Sequence, residues 1–155
     1  MGLKKRKATL IFILVVALFS ENIGQETKGC SFLKISENQR FLTNIDDRPF
    51  FWLGDTGWLL FSKLTREEAE KYLENRAEKG FNVIQVMVLH ELKVTNVYGD
   101  SALISQDISQ PAVTSGNSVE NSTEYDFWEH MDFIIGKAEE KRINMAIVPV
   151  CVSNV

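Results

Sequence analysis

Three carboxylates in this chain stand where an apolar run gives way to polar residues: Asp55 in Gly54-Asp55-Thr56-Gly57-Trp58, Glu91 after His90, and Asp100 in Val97-Tyr98-Gly99-Asp100. Carboxylates accept hydrogen bonds from hydroxyl groups and move protons, and an imidazole does both near neutrality. Trp58 adds a flat apolar face, and the glycines around Asp55 let backbone approach a ligand closely. The expected substrate contacts are therefore Asp55, Trp58, His90 and Asp100, with Asp55 also the candidate catalytic residue. Each has a plainer reading as well. Asp55 either touches substrate or orients its own loop, and Trp58 is either a stacking platform or a lid over the core. His90 is a ligand or a satisfied structural histidine, and Asp100 reaches over the rim or caps its own turn. Thr56 reads as a turn cap, Trp52 and Trp128 as core, and His130 as solvated helix surface. Cys30 and Cys151 do not lie near a histidine or another cysteine at metal-ligand spacing. There is no GxGxxG, P-loop lysine motif, GxSxG or HExxH, so neither metal nor organic cofactor is expected.

These residues need elements to position them. Phe50-Phe51-Trp52-Leu53 reads as a strand buried on both faces, as in a parallel sheet covered by helices. Ahead of it, Phe32–Ile35 and Arg40–Thr43 alternate around the polar Ser36-Glu37-Asn38-Gln39, a hairpin signal. Thr65-Arg66-Glu67-Glu68 matches a capping box and predicts a helix over Arg66–Lys79, with Ala69, Tyr72, Leu73 and Ala77 on its apolar face. Gly80 would end it in the left-handed conformation. Phe81–Leu89 reads as a second buried strand delivering His90 and Glu91 to its carboxyl end. Lys93–Thr123 shows no periodicity, and Gln106–Asn121 is its more mobile portion. A helix over Glu124–Arg142 buries Trp128, Met131, Ile134, Ile135 and Ala138, and Ile143–Val150 is a third buried strand. Alternation of strand and helix predicts an α/β fold with a parallel sheet, either a small open sheet or the opening of a (β/α)8 barrel. In both, ligands bind beyond the carboxyl ends of the strands.

The 155 residues suffice for one domain with a core. Lys4, Lys5, Arg6 and Lys7 precede the apolar run Ala8–Phe19, the pattern of a secretory signal peptide over residues 1–24 with cleavage after Ser20 or Gly24. The run is shorter than the roughly 20 residues of a membrane span, so membrane contact is expected only through that leader. Setting aside its four cations and Glu21 takes the net charge from −4 to −7. An acidic domain without a basic stripe is a poor polyanion binder, and nucleic acid is not an expected partner.

Pro49–Trp58, Lys79–Gln85, Asn96–Asp100 and Tyr125-Asp126-Phe127-Trp128, in that order, resemble the apiosidase-like glycoside hydrolases (glycoside hydrolase family 140). The resemblance runs over about residues 31–155. It implies that residues 25–155 are the N-terminal part of a (β/α)8 barrel, about three strand–helix steps preceded by the hairpin. A whole barrel takes about 250 residues. It further implies export by a gut-type, Gram-negative bacterium to the periplasm or cell surface. The implied activity is cleavage of apiose-linked side chains in pectic polysaccharide of the plant cell wall. Glycoside hydrolysis needs two carboxyl groups, about 5–5.5 Å apart for retention or about 6.5–9.5 Å for inversion. The resemblance places that pair on later strands. Cys151-Val152 stands where similar sequences carry Trp-Gly, which fits a truncated or frame-shifted gene or an incomplete sequence. The competing expectations are an inactive remnant, and a small non-catalytic carbohydrate-binding α/β domain presenting Asp55, Trp58 and His90.

Overall fold

The computed structural model of the protein describes residues 32–150. The proposed leader, Cys30 and Cys151 lie outside the described residues. The chain opens with a short antiparallel pair, β1 (Lys34–Ile35) and β2 (Leu42–Thr43), in the register Lys34↔Thr43 and Ile35↔Leu42. The turn between them is organised by Ser36, whose hydroxyl accepts from the Arg40 and Phe41 amides and donates to the Asn38 side chain. A second turn follows. There the Asn44 side-chain oxygen accepts from the Asp46 and Arg48 amides, the self-bonding that makes asparagine a turn residue.

The main sheet has three parallel strands in the order β3 (Gly54–Thr56), β4 (Val83–Leu89), β5 (Asn144–Val150). A four-residue helix α1 (Leu60–Lys63) and the longer α2 (Arg66–Glu78) connect β3 to β4, and α3 (Phe127–Glu140) precedes β5. This is the alternation the sequence predicts, and it makes the fold mixed α/β. Among the described residues no helix is long and apolar enough to cross a membrane.

Local chemistry sets the helix ends. The Thr65 hydroxyl accepts from the Glu68 amide at 3.2 Å while the Glu68 carboxylate accepts from the Thr65 amide at 3.0 Å, the reciprocal capping box. Gly80 follows α2 at φ 81°, a conformation other residues adopt only with strain. Asp126 caps α3, accepting from the Trp128 and Glu129 amides. The apolar sides of α2 and α3 pack on one face of the sheet, burying Phe61, Leu73, Ile84, Val86, Phe127 and Ile134 completely. Since strand side chains alternate, Ile84, Val86 and Val88 point into this core while Gln85 and Met87 point to the opposite, uncovered face.

Three expectations need correction. Phe50–Leu53 is not a strand buried on both faces: the ladder begins at Gly54, and Phe51 and Trp52 are 77% and 51% exposed. The cause is local. The Asn82 side-chain amide accepts from the Leu53 amide and donates to the Phe51 carbonyl, standing in for the neighbouring strand. The segment is thus tied to the sheet's edge without a layer above it, and Trp52 is surface rather than core. Similarly, β5 is only half buried, with Ile147 at 43% exposure, because among the described residues it is the edge strand and pairs with β4 alone. Finally, His130 is fully buried rather than solvated.

Candidate functional site

Parallel pairing carries β3 and β4 to a common carboxyl rim. Beyond β3 the ladder continues for one more step, the Gly57 amide donating to the Gln85 carbonyl at 2.8 Å, and the Met87 amide then donates to the Trp58 carbonyl at 3.2 Å. A Cβ at Gly57 would come within 3.2 Å of Ile84 Cγ2 and 3.3 Å of the Tyr72 hydroxyl, so the absence of a side chain lets the chain turn against the sheet there. Trp58 emerges from this turn 43% exposed. On the adjacent strand, β4 ends at Leu89 and hands on to His90 and Glu91, whose Nε2 and Oε1 are 3.5 Å apart. Trp58 and His90 therefore follow neighbouring strands and share one rim.

Asp55 does not face that rim. It pairs with Ile84 in the register and so lies on the helix side of the sheet, where Arg76 Nε and the Tyr72 hydroxyl donate to its Oδ2 and the Thr56 amide donates to its Oδ1. Tyr72 and Arg76 stand one turn apart on α2, and the guanidinium carbon lies 4.6 Å from the Tyr72 ring centroid. Partial burial works against ionisation of Asp55. The hydrogen bonds from Arg76, Thr56 and Tyr72, with the Arg76 charge, outweigh it and hold the carboxyl below its usual range. Burial and the Asp55 carboxylate together push the Tyr72 hydroxyl up. The arrangement is an ion pair that fixes the end of β3 to α2.

Asp100 is also engaged. Its Oδ2 accepts from Asn96 Nδ2 at 2.8 Å, and its amide donates to Asn96 Oδ1 at 3.0 Å. Asn96, 3% exposed, also accepts from the Tyr98 amide and closes the Asn96–Asp100 turn. The long loop after β4 is correspondingly organised rather than free: bridges join Thr95 to Ser101 and Leu103 to Pro111, and the Trp128 indole donates to the Ala102 carbonyl at 3.0 Å. Of the four expected contact residues, then, the structure brings Trp58 and His90 to one edge. It turns Asp55 towards α2 and closes Asp100 into its own turn.

Two groups of side chains escaped the reading of the sequence. One is the Tyr72–Arg76 partnership, signalled only by i,i+4 spacing on the helix face that also carries Ala69 and Leu73. The other joins Arg66, Tyr98, Tyr125 and His130 across a sequence separation no periodicity reveals. Among the described residues no three His, Cys, Asp or Glu side chains are grouped so as to hold a metal ion.

Known proteins match this chain over most of its length. The sequence model described as the apiosidase-like catalytic domain matches residues 36–155. A solved structure titled "Glycoside hydrolase" superposes with a TM-score of 0.64 at 38% identity, covering 81% of this chain and 26% of that one. A glycoside hydrolase family 5 structure from Bacteroides vulgatus ATCC 8482 gives a TM-score of 0.62 at 34% identity, over 75% of this chain and 24% of that one. No curated protein matches. The chain thus spans about a quarter of the length of the solved hydrolases it matches. With the catalytic-domain match over residues 36–155 and two solved glycoside hydrolases at 38% and 34% identity, this chain belongs to the apiosidase-like catalytic-domain family.

Proposed function

We propose that the chain is the opening portion of an exported (β/α)8 glycoside hydrolase that acts on apiose-bearing side chains of pectic polysaccharide. Its carboxyl rim supplies sugar contacts, and the catalytic acid pair belongs to later strands. The observation that carries the reading is the shared rim. Trp58 and His90 follow adjacent parallel strands, with one sheet face covered by helices and the other open, as the interior of a barrel would be before closure. Trp58 offers an exposed indole to a sugar ring. Placing the acid pair on later strands is supported by the engagement of two of the three candidate carboxylates, Asp55 with Arg76 and Tyr72 and Asp100 with Asn96. Asp55 acts here as a positioning residue, holding the turn that presents Trp58. The basic and apolar pattern ahead of residue 25 supports the export part of this reading.

The test is release of apiose from pectic oligosaccharide by the chain alone and by the chain mixed with the complementary three-quarters of the 38%-identical glycoside hydrolase. Activity confined to the mixture, and reduced when the chain carries Trp58→Ala, is the expected result. Turnover by the chain alone would refute the placement of the acid pair. Stable association of the two pieces without turnover would refute the assignment of substrate.

A further inference from the structure

The most thoroughly buried ionisable group outside the rim is His130, fully inaccessible on α3. Its two ring nitrogens face different elements. Nε2 lies 3.0 Å from the Leu64 carbonyl, between α1 and α2, and Nδ1 lies 2.6 Å from the Tyr125 hydroxyl at the end of the long loop. A carbonyl only accepts, so Nε2 carries the proton and Nδ1 accepts from Tyr125. Around this neutral ring, Tyr98 and Tyr125 stand edge-on at centroid distances of 5.4 and 5.9 Å. The Tyr98 hydroxyl accepts from the Arg66 amide at 3.0 Å, and Arg66 Nη1 donates to the Val119 carbonyl at 2.8 Å. Three points of the loop, at 98, 119 and 125, are thus fastened to α2 and α3 through a single cluster.

We infer that His130 is the neutral-state latch of the loop over residues 91–126, and that acidification opens this loop while the sheet beneath it stays folded. This goes beyond the proposed sugar chemistry and does not depend on it.

A second proton has nowhere favourable to go. It would have to sit on Nδ1 and reverse the bond, the ring donating to the Tyr125 oxygen and the hydroxyl's own hydrogen losing the acceptor it has now. The charged ring would face the Arg66 guanidinium on α2, which is already 5.3 Å from the Tyr125 ring and paired with Glu120 at 3.5 Å. From the loop, Asp100 favours the cation, but its carboxylate is held by Asn96. On α3 itself the neighbouring acid is Glu129, whose carboxyl is held above its usual range by its bond to Asp126 and by burial. Burial comes first among the effects on His130, and with the Arg66 charge it outweighs the Leu64 carbonyl and Asp100, so the imidazole lies below its ordinary value.

The sign follows. A folded-state value below 6.5 means that the closed loop is stabilised above that pH and loses stability as pH falls from there towards the folded-state value. Within that window the opening equilibrium grows by up to about tenfold per pH unit.

The full chain has two histidines, so ring NMR spectra can follow both. His130 is expected as the Nε2-protonated neutral tautomer at pH 7.5, titrating below an ordinary imidazole. Hydrogen exchange corrected for intrinsic rates should accelerate in residues 91–126 between pH 7 and 5 while β4 keeps its protection. His130→Gln should make the loop's profile flat. Should that variant fail to fold, Tyr125→Phe, which keeps the ring and removes the hydroxyl, should shift His130's titration upward. The inference is overturned by a charged His130 at neutral pH, by loop protection that does not change with pH, by an unchanged profile in His130→Gln, by an unshifted titration in Tyr125→Phe, or by β4 opening in step with the loop.

Discussion

Arg76 Nε on α2 and Asp55 Oδ2 on β3 form an ion pair across the layer boundary between helix and sheet, with side chains 26% and 29% exposed. The Tyr72 hydroxyl joins at 3.1 Å. Two residues beyond Asp55 the chain turns at Gly57 to present Trp58. A carboxylate whose position suggests chemistry thus does its work one layer behind the rim.

Asp55→Asn should lower stability by about 1–2 kcal/mol at neutral pH, because Arg76 loses its charged partner while partial exposure limits the loss. Since the Asp55 carboxyl is held below its ordinary 3.8, its contribution is complete above that pH and disappears as pH falls through the lower, folded-state value. Urea titrations of both proteins at several pH values should show the difference shrinking in acid.

Thr65→Ala removes one half of the capping box and should cost about 1 kcal/mol, whereas Thr65→Ser should cost much less. Thermal unfolding of the three proteins ranks them.

Phe51 and Phe61 invert the usual expectation for apolar residues near a strand. Phe51→Ser should change stability by no more than about 0.5 kcal/mol and reduce binding of an apolar dye, since the side chain is 77% exposed. Phe61→Ala should cost about 3–5 kcal/mol, since Phe61, on α1, is completely buried in the core.

Where the amino-acid sequence was legible, the cause was local. The capping box at Thr65, the left-handed Gly80 and the alternation of strand and helix are encoded within a few residues, and each stands as the sequence predicts. What escaped it depends on partners distant in the chain. Phe50–Leu53 has the composition of a buried strand, yet its burial depends on neighbours on both faces, and Asn82 supplies only an edge contact. β5 carries the same lesson, since its apolar pattern says nothing of whether a second layer covers Ile147. His130 was misread because the adjacent Glu129 suggests a wet face, while the loop that buries it, through Tyr98 and Tyr125, has no periodicity of its own. Asp55 reads as lying just past a strand, whereas it stands in the middle of β3, and register, which fixes the face it points to, emerges only from the pairing with Ile84.

The central claim, a sugar-binding rim shared by β3 and β4, is tested most directly by titrating the isotope-labelled chain with apiose-bearing pectic oligosaccharide and following its amide and indole resonances. The account predicts saturable shifts concentrated at Gly57–Trp58 and His90–Glu91, abolished by Trp58→Ala without loss of the folded spectrum. Shifts confined to the β1–β2 hairpin, or no shifts at millimolar ligand from a folded chain, would contradict it.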